Sequence, residues 1–239
     1  MAAGFLAGLA GCFWSSDSGL PDPAAYATAQ EKKAAFIDYL LPRVAEVNAE
    51  IAAGRRRLLR IRAQLAEAGG TGYFDGRWLR RLAGTYELDP PDELNVDFAD
   101  RLLRRVDVIP PSLVLAQAAE ESGWGSSRFA RHGNNLFGMR TYDGSGLVPK
   151  ERQSGASYTV AVYASVRASV AAYVHNLNTK DPYRRLRAIR SGLRRAKKPL
   201  SGSALANGLE TYSGRGSDYV DSIQSIISAN DLRRYDSDS

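Results

Sequence analysis

Two adjacent acidic residues, Glu120 and Glu121, close a strongly apolar stretch of the chain. Apart from one glutamine, residues 113–119 are small or aliphatic, which is typical of a helix that its neighbours bury. Gly123 and Gly125 can adopt the positive φ that ends such a helix, so we expect both acids in its last turn, at the negative end of the helix dipole. Burial and this dipole both raise the pKa of a carboxyl group, which predicts a proton donor for a leaving oxygen near neutral pH.

The spacing of the neighbouring side chains selects one of the two acids. Gln117, Glu121 and Trp124 are separated by four and three residues and therefore share one helix face, whereas Glu120 points about 100° away. We predict that Glu121 is the general acid and that Gln117 and Trp124 bind the substrate beside it. The alternative is an ordinary pair of solvated acids at a helix end.

Three motifs in this part of the chain carry a resemblance to a known family. They are Leu-Leu-Arg-Arg-Val-Asp-Val-Ile-Pro-Pro-Ser at 102–112, Ala-Gln-Ala-Ala-Glu-Glu-Ser-Gly-Trp-Gly at 116–125 and Asn-Asn-Leu-Phe-Gly at 134–138. The chain resembles the glucosaminidase (flagellar-type peptidoglycan hydrolase) family of glycoside hydrolases, and within it the Bax-type proteins, from about Phe98 onwards and more loosely before. In that family the glutamate before Ser-Gly-Trp-Gly is the catalytic acid, which is Glu121 here.

The resemblance also implies a fold and further site residues. It implies a lysozyme-like α+β fold, mostly α, with a small β-hairpin lobe, and it implies no metal or cofactor. Asn135 would line the cleft, where its amide could bind an N-acetyl group, although asparagine equally suits turn chemistry. Tyr212 and Tyr219 match tyrosines that face the cleft, so we expect Tyr212 to support catalysis and Tyr219 to bind substrate. A packing role is the alternative for Tyr219.

A second carboxylate is expected on the hairpin. Glycines and β-forming runs over residues 140–162 predict this hairpin, with Ser154-Gly155 near its turn. Inverting glycosidases need a second carboxylate about 6.5–9.5 Å from the acid, with room for water between them. Glu151 on the first strand is the candidate, and Asp143 is a remote substitute. Alternatively, Glu151 is a solvated strand residue and the substrate's own acetamido group assists, oriented by Tyr212.

Helices must hold these residues in place. Pro110 and Pro111 can begin the acid-bearing helix, and Ser112 can cap it. Upstream, a helical pattern leads to Pro42, which we expect to break or restart the helix, and a heptad series follows, formed by Val44, Val47, Ile51, Gly54, Leu58, Ile61 and Leu65. This arginine-flanked helix is predicted to lie on the catalytic core, and the alternative is pairing with a second chain, anionic lipid or glycan.

The first residues resemble a secretion signal. Leu-Ala-Gly-Cys at 9–12 resembles a bacterial lipobox, in which acyl chains on Cys12 would anchor the protein in a membrane. The lack of Lys or Arg near Met1 departs from a typical signal, and a free thiol is the alternative. We expect the protein on the periplasmic side of the cell envelope, anchored in the outer membrane. The predicted parts are 1–23, a lipoprotein signal and flexible tether; 24–96, a helical accessory segment; and 97–239, the catalytic domain.

Composition, charge and residue spacing indicate the class of the protein and the kinds of partner it could bind. The chain has 239 residues, 44% of them hydrophobic, which indicates a globular core, and we expect the residues from Asp236 to Ser239 to form a frayed tail. A net charge of +6 fits a polyanionic partner, and cell wall, anionic lipid and nucleic acid would all satisfy it. No aromatic interleaving or reader motif accompanies the arginines, which argues against nucleic acid. Two histidines without metal-ligand spacing argue against zinc.

The resemblance and the predicted acid together favour hydrolysis of the β-1,4 bond after N-acetylglucosamine in peptidoglycan glycan strands. Two rivals act on the same polymer: a lytic transglycosylase, which uses one glutamate and forms an anhydro sugar, and a muramidase, which cuts the neighbouring bond. A non-catalytic wall-binding lipoprotein is the rival from another class. The sequence leaves the oligomeric state open.

Overall fold

The computed structural model describes residues 19–149 and 157–236. The predicted lipidation residue Cys12 and the candidate second acid Glu151 lie outside the described residues. The α-helices of the described ranges are α1 (Ala29–Ala68), α2 (Tyr73–Thr85), α3 (Val96–Arg105), α4 (Pro111–Ser122), α5 (Arg128–Gly133), α6 (Val166–Thr179), α7 (Arg184–Arg195), α8 (Gly202–Ala206) and α9 (Ser217–Ala229).

The described residues also contain two short strands and 3-10 helices at Pro23–Ala25, Asp181–Tyr183 and Leu232–Tyr235. β1 (Arg140–Thr141) pairs antiparallel with β2 (Thr159–Val160), and Leu147 forms an isolated bridge to Val160. The predicted fold class, mostly α with a small β lobe, is confirmed. The predicted turn at Ser154-Gly155 lies outside the described residues.

Helix α4 lies at the centre of the larger of two hydrophobic cores. Ten of its twelve residues are buried, and it packs against α1, α8, α9 and the 3-10 helix near the C-terminus. The neighbours come close, since a Cβ atom added to Gly202 on α8 would lie 2.0 Å from Ser112 Oγ. The predicted buried, apolar helix is therefore confirmed, and its glutamate-bearing end is the part that reaches the surface.

The start of α4 is capped from the far end of the chain. Pro110 occupies the N-cap position and Ser112 the second helical position, so the prediction that Ser112 caps the helix is wrong. Instead, the Asp236 carboxylate accepts hydrogen bonds from the Ser112 N–H at 3.0 Å, the Ser112 hydroxyl at 2.7 Å and the Gly202 N–H at 3.0 Å. Asp236 is only 8% exposed, so the prediction that it belongs to a frayed tail is also wrong.

Helix α1 runs without interruption through Pro42, and the predicted break is wrong. A proline inside a helix removes one backbone hydrogen bond and strains the turn before it. Here Leu40 and Val44, on either side of the proline, are fully buried in the core around α4. This packing holds the helix together across the missing bond.

Five of the seven heptad residues of α1 are buried within this chain, and Ile51 and Gly54 are partly buried. Val44 and Val47 belong to the core around α4, whereas Leu58, Ile61 and Leu65 form a second core with α2 and α3. Arginines on the flanks of α1 bind groups of α2, α3 and the segment after α3. The prediction that this helix lies on the rest of the chain is therefore confirmed. None of the helices in the described ranges is both long and apolar enough to cross a membrane.

The cap at Asp236 can be tested by stability measurements. We expect Asp236→Asn to lower the free energy of unfolding by about 2–3 kcal/mol, because the new amide nitrogen would leave a buried donor of Ser112 or Gly202 without an acceptor. Urea denaturation measures this. The matched control is Asp231→Asn, since Asp231 is exposed and its ion pair with Arg234, among the described residues, is a loose one of 3.6 Å. This substitution should change the value by less than about 0.5 kcal/mol. Equal effects in the two variants would contradict the proposed cap.

Candidate active site

Both predicted acids lie in the last turn of α4, where the helix meets the surface. Gly123 ends the helix in the left-handed conformation, with φ of 56°, and its N–H bonds to the Ala119 carbonyl. This is the predicted glycine-terminated end. Glu121 is half-buried there.

Glu120 points away from Glu121, as the helical spacing predicts. Its Oε1 accepts hydrogen bonds from the Arg215 guanidinium at 2.6 Å and from the Ser222 hydroxyl of α9 at 3.2 Å. The carboxylate of Glu120 is therefore already paired with a cation on the outer side of α4.

A chain of hydrogen bonds runs through the core to Glu121. The Tyr173 hydroxyl on α6 donates to Gln117 Oε1, the Gln117 amide donates to Tyr219 Oη at 2.9 Å, and the Tyr219 hydroxyl on α9 donates to Glu121 Oε1 at 2.7 Å. The first three of these residues are fully buried, so water does not compete for their polar groups. Because the Gln117 NH2 group can only donate, the Tyr219 hydroxyl directs its own hydrogen to Glu121.

The surroundings of Glu121 favour its protonated form. Burial raises the pKa of Glu121 above the ordinary value of 4.5, and the charge of Glu120 adds to this effect. The hydrogen bond from Tyr219 and the charge of Arg215 lower the pKa without cancelling the increase. Burial and the charge of Glu121 raise the pKa of Tyr219 in turn, so Tyr219 remains a neutral phenol and a donor.

Glu121 borders a cleft of about 740 Å³. A Cβ atom added to Gly138 would lie 3.7 Å from Glu121 Oε2, so the oxygen that Tyr219 does not bind faces the cleft beside a residue without a side chain. Among the described residues, Glu121 is the one carboxylate in the cleft lining. The other lining residues are Phe137, Gly138, Met139, Arg140, Tyr142, Asn176, Tyr183, Thr211, Tyr212, Ser213 and Gly214.

Tyr212 lines the same cleft as Glu121. Its hydroxyl donates to the Phe137 carbonyl at 2.9 Å, and its ring stacks on Tyr219 with 5.4 Å between centroids. Burial raises the pKa of Tyr212, so its phenol stays neutral. The structure therefore brings together Glu121, Tyr212 and Tyr219. Tyr219 has no exposed surface and is the buried partner of the acid, so its predicted contact with substrate is wrong.

Gln117 supports the acid from behind and cannot contact a glycan. It has no exposed surface, and both ends of its amide are bonded to tyrosines. Its placement on the same face as Glu121 is confirmed, since both side chains meet the Tyr219 hydroxyl. Its predicted role in substrate binding is wrong, because the helix face that it shares with Glu121 is covered by α6 and α9 at this level.

Trp124 lies away from the cleft lining. Helix α4 ends at Ser122 and Trp124 itself has φ of 58°, so helical spacing no longer fixes its direction. Its ring packs edge-on against Phe36 of α1 at 5.8 Å, and Lys33 Nζ lies 4.9 Å from the ring centroid. The prediction that Trp124 binds substrate beside Glu121 is therefore wrong, and the ring joins the end of α4 to α1.

Asn135 uses all of its polar groups inside its own loop and the β lobe. Its amide nitrogen donates to the carbonyls of Met139 and Ala161, both at 2.8 Å, and its Oδ1 accepts from the N–H groups of Phe137 at 3.3 Å and Met139 at 3.0 Å. The side chain is 2% exposed. Turn chemistry is therefore the correct reading of Asn135, and the predicted sugar contact is wrong. The loop that Asn135 stabilises places Gly138 beside Glu121.

The Asp143 carboxylate stabilises a turn within its own loop. Its carboxylate accepts hydrogen bonds from the Ser145 hydroxyl at 2.6 Å, the Ser145 N–H at 2.9 Å and the Thr141 hydroxyl at 2.8 Å. These bonds lower the pKa of Asp143 to about 2. Glu151 lies outside the described residues, so its assignment stays a prediction. In the described ranges, no group of three or more His, Cys, Asp or Glu side chains is placed to hold a metal ion.

The contact between Tyr173 and Gln117 was not predicted from the sequence. The ring of Tyr173 belongs to the core and stacks on Phe137 with 4.0 Å between centroids. A buried tyrosine hydroxyl usually needs a polar partner, and Gln117 is the one amide in an otherwise apolar stretch of α4. Pairing these two requirements could have identified the contact.

Comparison with known proteins gives three matches. The glucosaminidase family, described as mannosyl-glycoprotein endo-beta-N-acetylglucosaminidase, matches residues 96–232. Protein bax of Escherichia coli (strain K12) is 34% identical over 212 residues, which cover 86% of this chain and 72% of that protein. The crystal structure of the catalytic domain of the autolysin Auto from Listeria monocytogenes matches with a TM-score of 0.48 and 18% identity, covering 89% of this chain and 92% of that one.

The hydrogen bond to Glu121 predicts the outcome of a titration. Tyr219→Phe removes a donor that stabilises the ionised carboxylate, so the pKa of Glu121 should rise further above its already raised value. Carbon-13 NMR of labelled glutamate side chains measures this, with Glu121→Gln to assign the signal. Tyr212→Phe serves as the control and should leave the titration almost unchanged, because that hydroxyl bonds to the Phe137 carbonyl. A lower pKa of Glu121 in Tyr219→Phe would contradict the described geometry.

Proposed function

The chain belongs to the glucosaminidase family of glycosidases, and we propose that it hydrolyses peptidoglycan at the β-1,4 bond after N-acetylglucosamine, with Glu121 as the general acid. One observation carries this proposal. Glu121 is a half-buried carboxyl with a raised pKa, held through one oxygen by Tyr219 and facing a cleft with the other.

The direction of the Tyr219 hydrogen bond assigns the proton on Glu121. Since Tyr219 donates to Oε1, the acidic proton belongs on Oε2, which faces the cleft beside Gly138. As the bond between the sugar C1 and the leaving oxygen breaks, Oε2 transfers its proton to that oxygen. Tyr219 then stabilises the carboxylate that forms, and solvent returns a proton after the product leaves. Activity should therefore fall as the pH rises through the pKa of Glu121.

Water must add to the sugar C1 to complete hydrolysis. We retain Glu151 as the group proposed to position this water, and the alternative route begins with attack by the substrate's own acetamido oxygen. Tyr212 can serve either route, because its neutral phenol lines the cleft and can donate to an acetamido or water oxygen. That donation would replace its present bond to the Phe137 carbonyl.

A lytic transglycosylase is the second candidate function. It is favoured by the finding that Glu121 is the one carboxylate in the cleft lining among the described residues, since such an enzyme uses a single glutamate. In that reaction a hydroxyl group of the sugar itself attacks C1 in place of water, which leaves an anhydro end.

The proposal includes a location, which rests on the lipobox-like sequence alone. Acyl chains on Cys12 would hold the enzyme at the outer membrane, facing the periplasm. The segment 24–96 would then carry the catalytic domain, 97–239, on its tether. The packing of α1 against α4 and α6 supports direct contact between the segment 24–96 and the catalytic domain.

Replacement of Glu121 tests the mechanism directly. Glu121→Gln cannot donate the proton and should reduce solubilisation of purified sacculi by about 10²–10⁴-fold. Glu120→Gln is the matched control, because Glu120 is paired with Arg215 outside the cleft, and it should stay within a few fold of the parent.

Mass analysis of the released fragments then separates the reactions. Reducing-end N-acetylglucosamine is expected. A reducing-end muramic acid would indicate a muramidase, and an anhydro end would indicate a transglycosylase. Unchanged activity in Glu121→Gln would exclude Glu121 as the acid, and an inactive parent protein would favour a wall-binding role.

A further inference from the structure

A second concave surface, between α3 and α7, carries a concentration of positive charge. This groove has a volume of about 500 Å³, and Leu88, Ala188 and Ser191 are among its lining residues. Of the described residues that line it, Asp181 is the one acid. Its arginines are Arg101, Arg104 and Arg105 from α3 and Arg184, Arg187 and Arg195 from α7.

Two of these arginines are fixed by the backbone. Arg105 donates to the carbonyls of Tyr86 and Glu87, and Arg187 donates to those of Leu177 and Lys180. Carbonyl groups orient a guanidinium but leave its positive charge unneutralised. These two guanidinium groups therefore form a fixed, positively charged part of the wall of the α3–α7 groove.

Other arginines of the α3–α7 groove are exposed and available. Arg104 and Arg195 are solvent-exposed, and within the described ranges no hydrogen bond or ion pair occupies either guanidinium. Arg184 lies 3.6 Å from Asp181, an exposed and loose pair. Free guanidinium groups on both sides of the groove can each bind a carboxylate through two parallel hydrogen bonds.

Burial and the like charges of neighbouring arginines both act on Arg187, which lines the α3–α7 groove. Burial, together with the charges of Arg105 and Arg184, lowers the pKa of Arg187 to about 10, and Asp181 only partly opposes this. The neighbouring arginines Arg55, Arg190 and Arg194 are arranged differently, because all three lie around the buried Asp107. The fold thus supplies a counter-charge for that cluster and leaves the α3–α7 groove with an excess of about five positive charges by formal charge, six arginines against one aspartate.

The α3–α7 groove lies next to the catalytic cleft along the chain. The 3-10 helix Asp181–Tyr183 contributes Tyr183 to the cleft lining and Asp181 to the groove lining. Thr211, which also lines the cleft, donates to the Pro182 carbonyl in the same turn. A polymer that leaves the cleft past Tyr183 therefore meets the arginines on the far side of a single three-residue turn.

We propose that the α3–α7 groove binds the carboxylate-bearing peptide stems of the polymer whose glycan occupies the cleft. This inference rests on the proposed function. N-acetylated sugars are uncharged along the strand, so the negative charges of peptidoglycan lie on its acidic peptides. The arginine groove beside the cleft would hold the peptide part while Glu121 acts on the sugar part.

Binding measurements in a non-cutting background test this groove. The double substitution Arg104→Gln and Arg195→Gln, made in the Glu121→Gln protein, should weaken co-sedimentation with intact sacculi by about 3- to 10-fold, since exposed charge pairs contribute modestly. It should leave binding to chitin, an uncharged β-1,4-linked polymer of N-acetylglucosamine without peptides, unchanged. The charge-matched control is Arg77→Gln with Arg81→Gln, two exposed arginines on α2 outside the groove, which should affect neither ligand.

Three results would overturn the peptide assignment. The first is unchanged binding of the double variant to intact sacculi. The second is an equal loss of binding to chitin. The third is loss of binding to phosphatidylglycerol vesicles without any loss on sacculi, which would assign the groove to a lipid surface. If the parent protein digests sacculi and the double variant still binds them normally, the peptide-binding role of the groove is refuted but the proposed function is not. A parent that neither digests nor binds sacculi would refute the proposed function and this inference together.

Discussion

The hydrogen bond from Tyr219 to Glu121 is the interaction on which the rest of the site depends. It joins α9 to the end of α4, and its direction is set by Gln117 one turn earlier, which Tyr173 of α6 holds in place. Three helices must therefore pack in their native positions before the acid is oriented. The same packing desolvates Glu121, so core formation and the raised pKa of this residue have one cause.

Helix α4 transmits this constraint because both of its ends are held. Asp236 binds its first turn, while Trp124, just beyond its last residue, packs against Phe36 of α1. The two contacts come from opposite ends of the chain. A proton donor must stay within a few tenths of an ångström of its working position, and a helix fixed at both ends and buried along its length provides this.

Repeating patterns in the sequence predicted the secondary-structure elements. The partners of individual side chains could be identified only in the folded structure. Helical spacing correctly placed Gln117 and Glu121 on one face, but it failed for Trp124, because the helix ends before that residue and the backbone turns left-handed. Asn135 lies in the predicted loop, yet its amide is consumed by backbone groups that adjoin it only in the folded chain. The cap from Asp236 spans 124 positions, a separation over which local propensity carries no information.

The surroundings of the partly and fully buried carboxylates explain why Glu121 suits proton donation better than its neighbours. Asp107 is surrounded by three arginines, Asp236 accepts three hydrogen bonds from N–H and O–H donors, and Glu120 pairs with Arg215. Each of these carboxylates has partners that match its negative charge. Glu121 accepts one described hydrogen bond, from a neutral phenol, and burial prevails over that bond in setting its pKa. A buried carboxyl group with so few partners for its negative charge is unfavourable to ionise. The fold places this group where the end of α4 borders the cleft.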